Sequence, residues 1–417
     1  MKEAGMSKIA DTLTGWDRTR AQLGRKDYAL ETEEIELATD FECGNGSHLR
    51  QVGSLHYALD GEAETGTDHP FGGKCSRFCF AVRNKHPAET EVTVDVCRYT
   101  HDLPQTKHIS VWNTTDWWNL PVTAITLLPD EETVRIRLRL PPSDEERGTL
   151  FVCNFHWYPF TQMVKWMKEI VCAHPNRAQL KSIGKTALGF DIFVLTITEG
   201  ETAREAKEAI IVSASPQCSE AGNLACQRVI EYLLSDESET ARLRHSYKIH
   251  FIPYPNPDGT VLGTTMVNSL GQNPFFDAIT AVEGRDGSLE SKHAWEFASK
   301  VKPWLYLEYH SAFQDQRDSY IPFLFPPELL TEEKRRQISE LCDQRICALS
   351  QTRADIVELG DYGTTLGYLM KARCGAISYF YKLHNRFPLE ENLQRALEVF
   401  VLLERTYHQA SADQIQL

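Results

Sequence analysis

At 417 residues with 42% hydrophobic content, the chain is too long for one ordinary core, and two domains are expected at roughly 100–200 residues each. A formal net charge of -14 argues against a nucleic-acid or anionic-membrane partner, since both need clustered Lys and Arg. The 11 cysteines lack the spacing of a disulfide framework, no apolar run approaches the roughly 20 residues of a membrane span, and Met1-Lys-Glu-Ala-Gly-Met-Ser lacks a secretory pattern; reduced thiols in a cytoplasmic protein are expected.

In chain order, residues 40–152 read as β-structure. Stretches 77–83, 91–97, 109–112, 122–128 and 133–140 alternate apolar and polar side chains, with turn formers such as Phe71-Gly-Gly73 between them. Short alternating strands at this spacing predict an antiparallel sandwich. In 133–140 three arginines share one face, which reads as a solvated face rather than an anion site. Cys75-Ser-Arg-Phe-Cys79, the closest cysteine pair, reads as two strand or core thiols rather than a metal clip.

After Phe151-Val-Cys-Asn-Phe-His-Trp-Tyr-Pro-Phe160 the texture changes. Continuous apolar runs at 192–197, 209–214, 247–254, 304–309 and 376–381 alternate with helical patterns at 160–171, 226–234, 291–300, 332–350 and 389–406. That alternation predicts an α/β domain, a mixed and mostly parallel sheet with helices on both faces. The expected domains are 1–152, an all-β sandwich whose first ~38 residues read as an extension, and 153–417, the α/β domain.

Three segments at strand ends narrow the reading: Gln217-Cys-Ser-Glu220, Asn256-Pro-Asp-Gly259 and Glu308-Tyr-His-Ser311. In that order they resemble the zinc carboxypeptidase superfamily, which has the carboxypeptidase A fold. Phe41-Glu-Cys-Gly-Asn45 and Tyr158-Pro-Phe-Thr161 are similar to the corresponding motifs of its cytosolic carboxypeptidase branch, in which a β-sandwich precedes the peptidase domain. The resemblance covers residues 40–405. It implies a His-x-x-Glu pair and a later His on zinc, a Glu as general base, an Arg for the oxyanion, and an Asn-Arg clamp for the terminal carboxylate.

Tested role by role, the resemblance leaves most of these places altered. Glu220 matches the metal glutamate, but Gln217 stands where the first histidine belongs, and an amide is a poor zinc donor. His310 matches the second histidine. Met266 stands at the oxyanion arginine, and a thioether donates no hydrogen bond. Phe275 and Phe276 occupy the clamp positions, Asn273 replaces the aspartate that supports the first histidine, and Lys382 takes the place of the general base. An ammonium there repels a cation and accepts no proton at neutral pH unless its pKa is driven far down.

Each residue also has a plainer reading. Glu220 could be a helix first-turn acid, His310 a satisfied strand-end histidine, Asn256-Pro-Asp-Gly259 a scaffold turn, Cys218 an inert thiol, and Phe275 with Phe276 simple pocket filling. His384 is a weak candidate for a replacement ligand or base, as is Gln217 for a ligand. Two functions stand ahead of a third, an ordinary zinc carboxypeptidase. One is a carboxypeptidase-like protein without family-type peptidase activity that binds a peptide or protein ligand, with zinc at low occupancy or absent. The other is a divergent metal-dependent hydrolase using Glu220 and His310, acting on an amide or ester.

Overall fold

A computed structural model describes residues 28–64, 77–99, 108–143, 148–200, 207–312, 320–351, 355–356, 361–385 and 387–412; Cys75 and the 71–73 turn lie outside them. The chain divides into two compact units, Met1–Val164 with Asp258–Gly271, and Lys165–Pro257 with Gln272–Leu417.

The first unit holds two β-sheets. One runs in the order Ala29–Glu31, Ile35–Ala38, Cys79–Asn84, Thr149–Cys153, Ser110–Trp112, Trp117–Asn119, antiparallel throughout. The other runs Ser47–Gly53, His56–Asp60, Thr90–Cys97, Val134–Leu140, Ile125–Leu127, with a single parallel pairing, between His56–Asp60 and Thr90–Cys97. Period-two alternation explains the core: Val134, Ile136, Leu138 and Leu140 point inward and pack in one cluster with Phe80, Val82, Leu150 and Val152. The arginine stripe faces outward and is paired across strands, Arg135 bidentate to Asp95 at 2.8 and 2.9 Å and Arg139 to Glu89 at 3.3 Å. Of the predicted strand 122–128, only Ile125–Leu127 is extended; Val122–Ala124, following Pro121, forms a 3-10 turn.

The second unit is built on an eight-stranded mixed sheet in the order Ala178–Lys185, Asp191–Ile197, Tyr247–Ile252, Glu208–Ala214, Leu305–Ala312, Ile377–His384, Ile321–Leu324, Asp355–Ile356. Its four central strands are parallel to one another. Helices Leu289–Val301 and Leu366–Cys374 pack on the face carrying Ile211, Tyr306 and Phe380; Gly222–Leu234 and Leu389–Ala412 cover the other, where Tyr309 donates a hydrogen bond to the Ala396 carbonyl at 2.7 Å. Helices on both faces explain why these strands read as continuous apolar runs. Among the described residues no helix is long and apolar enough to cross a membrane.

Candidate functional site

The parallel strands Glu208–Ala214, Leu305–Ala312 and Ile377–His384 end side by side, and carboxyl ends of such strands are where open α/β sheets place their sites. The loop after Ala214 turns at once into the helix Gly222–Leu234. A β-carbon at position 222 would lie 2.3 Å from the Tyr309 carbonyl oxygen, so only glycine allows the helix to start this close to the neighbouring strand. Asn256 holds the loop from the other side, its side-chain amide donating to the Pro216 carbonyl at 3.2 Å. Asn256 thus helps hold the loop that carries Glu220, while Pro257 begins a helix, Pro257–Leu262, where the sequence predicted a turn.

Glu220 precedes that helix rather than sitting in its first turn, and its carboxylate Oε2 lies 2.8 Å from His310 Nδ1. On the far side of the ring, His310 Nε2 lies 2.7 Å from Glu308 Oε1, and the Tyr306 hydroxyl donates to the other oxygen of Glu308. All three ionisable side chains are buried, His310 to 1% exposure. A carboxylate at each ring nitrogen calls for a proton on both, hence an imidazolium. Burial alone would lower the His310 pKa; Glu220 and then Glu308 outweigh it and raise it to about 9. The contact to Glu220 falls outside hydrogen-bonding angles, which leaves Nδ1 and Oε2 attracted as charges without a hydrogen bond between them.

Aromatic rings close over this triad. Phe275 meets the His310 imidazole edge-on at 5.1 Å, Phe380 lies 4.9 Å away, and Phe276 packs against Phe275 at 4.6 Å. The turn that aims Phe275 is local: Asn273 Oδ1 accepts from the Phe275 amide at 3.2 Å, and the Pro274 carbonyl accepts from Ser291 Oγ at 2.6 Å. Beneath Phe275 a cavity of about 20 Å³, room for roughly one water, is lined by Ser213, Glu290, Tyr306 and Glu308.

The remaining candidates are dispersed. Lys382 stands directly opposite His310 in the parallel ladder and shares its face of the sheet, yet its ammonium rests 4.6 Å above the Phe323 ring on the next strand. Gln217 joins the site through its backbone, its carbonyl accepting from the Glu220 amide at 3.2 Å. The His384 ring packs on Phe387 at 4.7 Å, and Asn392 brackets its backbone, with 2.9 Å bonds to both amide and carbonyl. Met266 belongs to Asp258–Gly271 of the first unit, where its amide donates to Glu64 at 2.7 Å. Sequence reasoning missed Glu308 and Tyr306; the signal was their period-two spacing from His310, which puts all three on one strand face.

A catalytic zinc takes three protein ligands and keeps a position for water. Glu220 Oε2 and His310 Nδ1 suit two of them, and Glu308 on Nε2 is the outer carboxylate that a metal-bound histidine commonly has. Among the described residues no group of three His, Cys, Asp or Glu side chains converges as a metal site. Among the described residues, Glu220 and His310 therefore supply two of the three donors that such a site uses.

Residues 163–285 match the zinc carboxypeptidase family profile. The chain carries a zinc carboxypeptidase-family domain. The matched stretch of this zinc carboxypeptidase-family domain includes Gln217, Glu220, Met266, Phe275 and Phe276 and ends before His310 and Lys382. Cytosolic carboxypeptidase 2 of Danio rerio is 32% identical over 132 residues, 30% of this chain and 18% of that protein; the Homo sapiens protein of the same name is 26% identical over 135 residues, 31% of this chain and 15% of that one. The match thus takes in under a fifth of either relative. Among solved structures, a metallo-carboxypeptidase from Burkholderia cenocepacia superposes with a TM-score of 0.72 over 90% of this chain and 99% of its own, at 14% identity, which establishes the shared fold.

Proposed function

We propose that this zinc carboxypeptidase-family domain binds a peptide or protein segment without cutting it, in the cytoplasm, and with little or no zinc. The observation that supports this best is the Phe275 ring packed on His310 at the clamp position: it takes water away from the imidazole and offers a substrate carboxylate no bidentate donor. The ammonium of Lys382 adds to it, since the group at the base position is a cation drawn toward Phe323. Losing one group of a catalytic set costs on the order of 10²–10⁴ in rate, and groups acting as a unit fail together. The relatives' printed name, cytosolic carboxypeptidase, supports the compartment. The test is turnover on a library of peptides with free C-termini, alongside zinc content by elemental analysis. No release of C-terminal residues and substoichiometric zinc are expected; stoichiometric zinc with clear release overturns the reading.

The second reading, a divergent metal-dependent hydrolase, is favoured by one feature: Glu220 and His310, two donor types that a metal site uses, face each other in the buried site. It requires metal-stimulated ester or amide hydrolysis that both Glu220→Ala and His310→Ala abolish. Full activity in either variant rules it out.

A further inference from the structure

We infer that Cys79 and Cys153, in the first unit, form a latent cross-strand disulfide site, closed by exchange with a small-molecule disulfide. The strands Cys79–Asn84 and Thr149–Cys153 are antiparallel neighbours, and their register sets Cys79 directly opposite Cys153. Opposed residues in such a ladder project to the same face, with α-carbons about 4.5 or 5.5 Å apart depending on the type of pair. Both separations fall inside the roughly 4.4–6.8 Å that disulfides span. The β-carbons of opposed residues start about 4.5–5.5 Å apart against the 3.5–4.5 Å a disulfide needs, so the strands close by no more than a few tenths of an ångström to about 1 Å. The two thiols already interact with each other, and Cys43 lies in the same cluster.

Access, rather than geometry, limits the reaction. Both thiols have 0% exposure, and burial, then the neighbouring Cys153, holds the Cys79 pKa well above the usual thiol value. Cys153 Sγ donates to the Phe155 carbonyl at 2.6 Å, a bond that must break. Cys79 is the first residue of its strand and Cys153 the last of its own, and this end of the ladder is tied: Cys79 exchanges backbone hydrogen bonds with Asn45, and the Phe78 amide donates to Asn154 Oδ1 at 3.1 Å, so exchange waits on local opening of these strands. Exchange then proceeds in two displacements. One thiol gives up its proton and its thiolate attacks a sulfur of the reagent disulfide, expelling one reagent thiolate and leaving a mixed disulfide. The second protein thiol loses its proton and displaces the other reagent thiolate. In sum, two protein thiols and one reagent disulfide give one protein disulfide and two reagent thiols, with two electrons passing to the reagent.

The test uses the native full-length protein, incubated with oxidised glutathione over a time course, with remaining thiols alkylated in denaturant and peptides mapped without reduction. A Cys79–Cys153 linked peptide is expected to accumulate slowly, with a rise in the thermal midpoint that dithiothreitol reverses. Cys153→Ala is expected to lose both signals; the wild-type map decides the matter if that variant does not fold. Recovery of Cys79 and Cys153 fully alkylated, or a Cys43–Cys79 link in place of this one, overturns the inference.

Discussion

At Phe275 the chain puts an aromatic ring where the family resemblance implies a planar polar clamp, and the consequence is a desolvated charge cluster beneath it. Phe275→Ala is expected to lower stability by about 3–5 kcal/mol, since it leaves a cavity beside an imidazolium and two carboxylates; urea unfolding of the two proteins measures the loss. In the first unit, Glu42 is buried and accepts from the Thr161 amide at 3.0 Å and its hydroxyl at 2.6 Å. Burial pushes its pKa up to about 7, against the lowering effect of Thr161. Because the folded value lies above the unfolded one, this contribution is fully present below pH 4.5 and is lost as pH rises to about 7. Glu42→Gln, which keeps the acceptor and removes the charge, is expected to stabilise the protein at pH 8 by up to roughly 3 kcal/mol and to leave pH 4.5 little changed, read from unfolding midpoints at both pH values. Glu42 was legible in the sequence only as part of a family motif; its partner, at position 161, comes from a remote segment.

At the scale of elements, the site depends on strand ends held in register. Leu305–Ala312 and Ile377–His384 pair from Leu305↔Ile377 to Ala312↔His384, which aligns His310 with Lys382. Asn392, from the helix Leu389–Ala412, bonds both backbone groups of His384 and so pins the end of that ladder. Asn392→Ala strands a buried amide and carbonyl and is expected to cost about 1–3 kcal/mol; faster exchange of the His384 amide, measured by hydrogen exchange, is the local readout. Strands with clear alternation or long apolar runs were legible. Others were not, for identifiable reasons: Ile321–Leu324 contains Pro322, and Ala178–Lys185 carries a register shift between Ser182 and Gly184, where a β-carbon on the glycine would meet the His293 ring at 2.2 Å. The helix Gly222–Leu234 begins four residues before its apolar periodicity shows.

Over the whole molecule, buried histidines and buried carboxyls pull the pH dependence of stability in opposite directions in both units. His250 in the second unit and His156 in the first are buried, and desolvation lowers both to about 4. A histidine depressed in this way binds its proton more weakly when folded, so stability falls as pH drops from about 6.5 to about 4. In each unit a buried carboxyl runs the other way: Glu42 opposes His156 between pH 4.5 and 6.5 in the first, and Asp343, raised by burial, opposes His250 in the second. His250→Gln is expected to remove the His250 contribution, so that between pH 4.5 and 6.5 protection in the strands around it, measured by hydrogen exchange, falls less steeply on acidification than in the wild type. The amino-acid sequence by itself determined the two classes of architecture, because periodicity is a local property, and it determined which residue types stand at the family positions, because ungapped motifs carry their own numbering. Only the tertiary structure decided what those residues do to one another. Glu220, Phe275, Glu308 and His310 come from a loop, a turn and a strand, and whether an imidazole meets metal, water or two carboxylates under a phenyl ring depends on distances that chain folding sets.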